Sequence, residues 1–167
     1  NEVVVGLDRV VYRHAFNGDC SLLAVSYGGE KVWVYWLDGT DRFAELCEHS
    51  GRVMSLDFSG VRLVSCGADR GAYVWHCGVD GVARPCLVML HVARSANCAR
   101  WSPDGAYFAV GSACSVVGSA CSVLSVCSYE KSDDFWVSRV AHKGGVDDRS
   151  TYSILCVDWA GRWTVAC

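Results

Sequence analysis

Short runs of β-branched and aromatic residues, broken by polar or glycine-bearing turns, recur along this chain. "KVWVYWL" (Lys31–Leu37), "AYVWHC" (Ala72–Cys77) and "SILCVDW" (Ser153–Trp159) have strand length and strand composition. No long stretch places apolar residues three and four apart, so the pattern predicts strands and not amphipathic helices. Four segments align with one another: "HAFNGDCSLLAVS", "SLDFSGVRLVS", "CARWSPDGAYFAVGS" and "CVDWAGRWTVAC". Each runs from a β-type stretch ending in an aromatic, through a turn, into a second β-type stretch. The anchoring aromatics are Phe16, Phe58, Trp101 and Trp159, separated by 42, 43 and 58 residues.

A strand-rich period of about 40–45 residues with glycine turns is the signature of a propeller blade built from four strands. The predicted fold is therefore all-β: a partial β-propeller holding about three and a half repeats. It forms one incomplete domain over 1–167, with blade units near 14–51, 52–96, 97–144 and 152–167. "SPDG" (Ser102–Gly105) fits a proline-started hairpin connection. The third interval is longer because "VGSACSV" at Val110–Val116 recurs without a gap at Val117–Val123. An odd insertion inside a paired strand would turn every following side chain to the opposite face. The extra copy is thus expected to bulge between the second and third strands of its blade. The polar run "AHKGGVDDRST" (Ala141–Thr151) is expected to be a loop extension.

Composition narrows the class. The 167 residues are 51% hydrophobic and 20% charged with two prolines, which suits a globular chain. A net charge of −3 argues against a nucleic-acid protein relying on a basic field. Ala106–Tyr129 carries no charge and has the length of a membrane span, but its six serines and partial alternation read as strand. Eleven cysteines with no CxxC pair, behind an opening "NEVVVGLDRV" that does not read as a secretory signal, are expected to be reduced core hydrophobes of a cytoplasmic protein. Cys98, Cys114, Cys121 and Cys127 lack the close spacing of structural zinc sites, so neither metal nor cofactor is expected. Trp33, Trp36, Trp136 and Trp163 are expected to pack between blades.

One stretch raises a question of chemistry. "SCGADRGAYVW" (Ser65–Trp75), with His49 upstream in "EHSG", offers a Ser–His–Asp set of Ser65, His49 and Asp69. A hydrolase needs a cleft-exposed serine, an oxyanion site and a sharp glycine-flanked nucleophile turn, and the last is missing here. The same residues with Trp75 are instead expected to form a WD-repeat brace, a structural tetrad of His49, Ser65, Asp69 and Trp75 with no catalytic residue. There the histidine before the first strand, a second-strand Ser/Thr, the turn aspartate and the third-strand tryptophan form one hydrogen-bonded chain. A buried indole N–H needs an acceptor and a turn aspartate needs donors, so linking the four satisfies them together. Glu30 lies near the aspartate position of the first unit, and the third offers only serines and cysteines there.

"CGADRGAYVW" (Cys66–Trp75), "ARSANCARWSP" (Ala93–Pro103) and "FAVGSA" followed by "VLSVCSYEKSDDFWV" (Val123–Val137) resemble the WD-repeat subunit 1 of the actin-related protein 2/3 complex. The similarity runs from about His14 to the C-terminal end. It implies the N-terminal half of a seven-bladed, non-enzymatic scaffold in a complex that supports nucleation of branched actin filaments. The partners implied are the other subunits, actin filaments and nucleation-promoting factors with acidic tails, without nucleic acid or membrane insertion, at the cytoplasmic actin cytoskeleton. Arg70, Arg94 and Arg100 match arginines in these motifs and are expected in or beside loops, where they could face partners or brace blades. By the same resemblance, the family's long filament-contact insertion is expected beyond Cys167. A different WD-repeat adaptor remains an alternative, since fold alone does not discriminate. An open arc of blades exposes faces that a ring would hide, so the isolated piece is expected to aggregate or fold marginally.

Overall fold

The computed structural model describes residues 9–78, 83–91, 95–112, 122–130, 135–143, 154–161 and 163–166. Among these residues there are fourteen strands and no helix. The first antiparallel meander is β1 (Arg13–Phe16), β2 (Leu22–Ser26), β3 (Val32–Trp36) and β4 (Phe43–Leu46). The second is β5 (Val53–Ser59), β6 (Arg62–Gly67), β7 (Gly71–Cys77) and β8 (Ala83–His91). The third is β9 (Ala96–Trp101), β10 (Tyr107–Ser112), β11 (Val123–Glu130) and β12 (Phe135–Lys143). A hairpin of β13 (Val157–Ala160) and β14 (Trp163–Ala166) follows. Each anchoring aromatic lies at or near the end of the first strand of its sheet.

The sheets stack face to face, and the reason is legible in β6. In "RLVSCG", Leu63 and Val64 point to opposite faces, and both are fully buried. Leu63 and Trp75 join Leu22, Val34 and Trp36 in the core between the first two sheets. Val64 and Val74 join Ala99, Trp101 and Phe108 in the core between the second and third. Cys98, Ala109 and Leu124 meet Ile154 and Val157 in the next seam. A sheet covered on both sides needs nearly continuous apolar runs, which is why the strands do not alternate cleanly. This is the blade stacking of a WD-repeat propeller, present in part.

The expected Ser102–Gly105 connection joins β9 to β10: Gly105 N donates to Ser102 O at 2.8 Å, and Ser102 Oγ to Asp104 Oδ1 at 2.6 Å. Two expectations change. Ala141, His142 and Lys143, assigned above to a loop, extend β12: Leu124 and Val123 of β11 pair with His142 and Lys143, and Ala141 falls at the register shift between them and Val140. Arg100, expected in or beside a loop, lies within β9. Most of the duplicated heptad, 113–121, falls between β10 and β11 in sequence but outside the described residues, as do Arg94 and 144–153. The uncharged stretch from Ala106 contributes strands β10 and β11, and no described helix is long and apolar enough to cross a membrane.

Candidate functional site

His49, Ser65, Asp69 and Trp75 come together on the second sheet. Ser65 sits in β6, Trp75 in β7, Asp69 in the turn between them, and His49 just ahead of β5. His49 Nε2 lies 2.8 Å from Ser65 Oγ, and Trp75 Nε1 donates to the same oxygen at 2.9 Å. His49 Nδ1 lies 2.9 and 3.1 Å from the carboxylate oxygens of Asp69. That carboxylate also accepts from Ser50 N at 2.9 Å and Gly71 N at 3.1 Å. Tyr73 closes the side, its ring edge-on to His49 with centroids 4.5 Å apart.

The protons follow from the donors. The indole can only donate, so Ser65 Oγ accepts from it and turns its own hydrogen toward His49 Nε2. Nδ1 then carries the imidazole proton and donates it to Asp69. Burial holds the His49 pKa below its usual value, and the opposing pull of Asp69 does not overcome it. A neutral imidazole is the form this pattern requires.

Donor for donor, this is also the polarity of a catalytic Ser–His–Asp triad. What differs is access. Ser65 is 0% exposed and His49 4%, and the serine oxygen already holds an indole proton. A nucleophile must reach its substrate, and this one is sealed between strands. Gly67 explains how the groups fit: a Cβ there would lie 2.8 Å from Asp69 Oδ1 and 2.9 Å from His49 Nδ1.

The arginines part company. Arg70 is exposed in the turn after Asp69, with φ of 68°. That left-handed backbone costs an L-residue about 1–2 kcal/mol. Arg100 is half-buried, and its Nη1 donates to Ser55 Oγ at 3.0 Å, Ala99 O at 2.9 Å and Leu56 O at 3.4 Å. It ties the third sheet to the second. Beside it, Trp101 N donates to Asp57 Oδ2 at 2.7 Å, while burial raises the Asp57 pKa against that bond and the Arg100 charge. These seam contacts escaped the sequence reading. Asp57, Arg100 and Asp158 each precede an anchoring aromatic, so the repeat register held a signal for them.

Trp36 Nε1 bridges to Gly78 O at 2.9 Å, between the first two sheets, and Trp136 packs on the core between the second and third. Trp33 packs on Tyr27 of its own sheet, with ring centroids 4.9 Å apart, and the side chain of Trp163 lies outside the described residues. Cys98 and Cys127 belong to different cores, and Cys114 and Cys121 lie outside the described residues. No group of three metal-capable side chains gathers among the described residues. Burial pushes the Cys127 thiol up to about 12 and the Cys66 thiol well above its usual value, so both act as apolar filler.

Comparison with known proteins supplies the relationship. No protein-family model matches the chain. Actin-related protein 2/3 complex subunit 1A-B of Xenopus laevis is 39% identical over 150 residues, 87% of this chain. Subunit 1 of Saccharomyces cerevisiae is 35% identical over 153 residues, and that of Schizosaccharomyces pombe 33% over 163. The chain is related to actin-related protein 2/3 complex subunit 1. It spans 37%, 36% and 40% of the length of these three relatives. Among solved structures, that of U3-55K superposes with a TM-score of 0.60 over 92% of this chain and 42% of its own, at 16% identity. The WD40 repeats of RRP9 superpose with a TM-score of 0.58 over 88% of this chain and 39% of theirs, at 16% identity. Those two likenesses concern the fold.

Proposed function

We propose that this chain serves as a non-enzymatic scaffold within an actin-related protein 2/3 complex. In this reading it supports nucleation of branched actin filaments by holding neighbouring subunits and engaging acidic-tailed activators. The observation that carries the reading is the 39% identity to a subunit 1 over 87% of the chain. The sealed serine and the neutral histidine support a structural role for His49, Ser65, Asp69 and Trp75: they pin the Asp69 turn to the blade and hold Arg70 outward. The blade units, near 14–51, 52–96, 97–144 and 152–167, act as rigid wedges that present loops. Arg70 suits a partner carboxylate, being exposed on a braced turn. The site of action is the cytoplasmic actin cytoskeleton.

The experiment is affinity purification of the tagged chain from cells of its source, followed by mass spectrometry. Recovery of both actin-related proteins in stoichiometric amounts supports the reading. Recovery of a different stable partner set, without actin-related proteins, overturns it in favour of another WD-repeat adaptor. Labelling of Ser65 by a serine-directed fluorophosphonate would overturn the structural role of the tetrad.

A further inference from the structure

Asn17 and Gly18 form the single Asn–Gly step in the chain, and they open the turn between β1 and β2. The backbone of the turn closes on Asn17 twice. Cys20 N donates to Asn17 O at 3.0 Å, and Asn17 N donates to Leu22 O at 3.2 Å. The side-chain amide is bound at both ends. Its Oδ1 accepts from Leu22 N at 2.8 Å, and its Nδ2 donates to Ser21 Oγ at 3.0 Å. Asn17 is buried, whereas Gly18, Asp19, Cys20 and Ser21 are exposed. Ser21 Oγ gives its own hydrogen to Asp19 Oδ1 at 2.7 Å, and Ser21 N donates to the same oxygen at 3.0 Å.

Gly18 sets the chemistry of this step. Without a Cβ beside it, a glycine N–H attacks the side-chain carbonyl of a preceding asparagine more readily than that of any other residue. Gly18 N bonds to Asn17 Cγ, the Cγ–Nδ2 bond breaks, and the amide leaves as ammonia, carrying the hydrogen lost from Gly18 N. One water then opens the succinimide ring. Cleavage at the former side-chain carbonyl gives aspartate, and cleavage at the backbone carbonyl gives isoaspartate. Water enters, ammonia leaves, and nothing is oxidised or reduced. Attack requires the amide to turn onto the next peptide unit, which breaks its bonds to Leu22 N and Ser21 Oγ.

We propose that Asn17 is a deamidation site gated by the β1–β2 turn: protected while Leu22 and Ser21 hold its amide, and converted to isoaspartate or aspartate when the turn opens. Neither product restores the turn. Aspartate puts a carboxylate oxygen where Nδ2 donated, against a Ser21 hydroxyl whose hydrogen Asp19 already holds. That Ser21 contact keeps the Asp19 carboxyl below its usual value, so the two acids would face each other ionised. Isoaspartate adds a carbon to the main chain between the strands. Loop length fixes hairpin register, so the pairing of Phe16 with Leu23 is lost. Leu22 and Ala24 carry the damage into the core between the first two sheets. None of this depends on the complex proposed above.

The test incubates the full polypeptide at neutral pH and follows Asn17 by peptide mass spectrometry, with isoaspartate read by a protein isoaspartyl methyltransferase. Hydrogen exchange at Leu22 N in the same samples reports whether the turn is closed. We expect conversion at least about tenfold slower in the folded chain than in guanidinium chloride, because two hydrogen bonds must open first. S21A should speed the folded reaction several-fold and leave the denatured rate unchanged. G18A, whose Cβ meets nothing within 4 Å, should slow both. Chains converted at Asn17 should lose protection at Leu22 N. Equal folded and denatured rates with Leu22 N protected would overturn the gate, as would an S21A rate equal to the parent's. An unprotected Leu22 N in a chain with its strand signal intact would overturn it too. No conversion in denaturant, or conversion that G18A fails to slow, would overturn the site itself.

Discussion

Replacing Ser65 with alanine removes one oxygen and leaves two buried groups without partners. Trp75 Nε1–H loses the acceptor at 2.9 Å, and His49 Nε2 loses the donor at 2.8 Å. Neither can turn to water, with Trp75 2% and His49 4% exposed. A tautomer change would satisfy neither group, because it would place a bare Nδ1 against the Asp69 carboxylate. An unsatisfied buried donor or acceptor costs about 1–3 kcal/mol, so the two together cost about 2–6 kcal/mol. That is a large part of the stability of an ordinary domain. The assay is urea unfolding followed by circular dichroism, with the slope checked so that midpoints can be compared. A double-mutant cycle with Trp75→Phe isolates the serine–indole bond, since phenylalanine has no N–H to strand. The double variant should be less destabilised than the sum of the singles by about 1 kcal/mol or more. A Ser65→Ala loss below about 0.5 kcal/mol, or strict additivity in the cycle, would refute the argument that this oxygen holds the turn.

Acid should loosen the same network. The folded His49 pKa is depressed by burial, so the unfolded chain takes up a proton that the folded one resists. Its contribution is fully present above the unfolded value near 6.5 and is lost as pH falls from there toward the folded pKa. The slope is at most about 1.4 kcal/mol per pH unit, and His49→Gln should flatten it in urea midpoints taken between pH 5 and 8. Arg70→Gly should relieve the left-handed backbone and raise stability by up to about 1 kcal/mol, while reducing recovery of partner subunits in the purification described above. A fall in melting temperature would show that the Arg70 side chain braces the blade instead. Gly111→Ala would place a Cβ 2.5 Å from Ile154 Cγ2 and 2.7 Å from Cys98 Sγ, in the seam between the third sheet and β13. We expect a loss of about 1–3 kcal/mol in thermal or urea unfolding, and an unchanged midpoint would contradict this packing.

The recurrence of Phe16, Phe58, Trp101 and Trp159, and the β-branched runs between turns, determined the all-β repeat from the sequence alone. Periodicity is a local property, and strand, turn and repeat are all written within about forty residues. His49, Ser65, Asp69 and Trp75 were legible as a set for the same reason, since all four belong to one repeat. The missing nucleophile turn already favoured a brace, but a brace and a triad share residue types and even hydrogen-bond polarity, and the sequence did not carry the burial of Ser65 that bars a substrate. Burial depends on the sheets packed on either side, which lie in other repeats. Arg100 shows the same limit: its position in or beside a loop left it to face a partner or brace a blade, and its bonds to Ser55 and Leu56, more than forty residues away, came only with the packing. Arg13 and Arg52 likewise meet over the ring of Tyr12 only where two sheets pack. The chain's own pattern thus determined the units, and the contacts between units decided what their polar side chains can do.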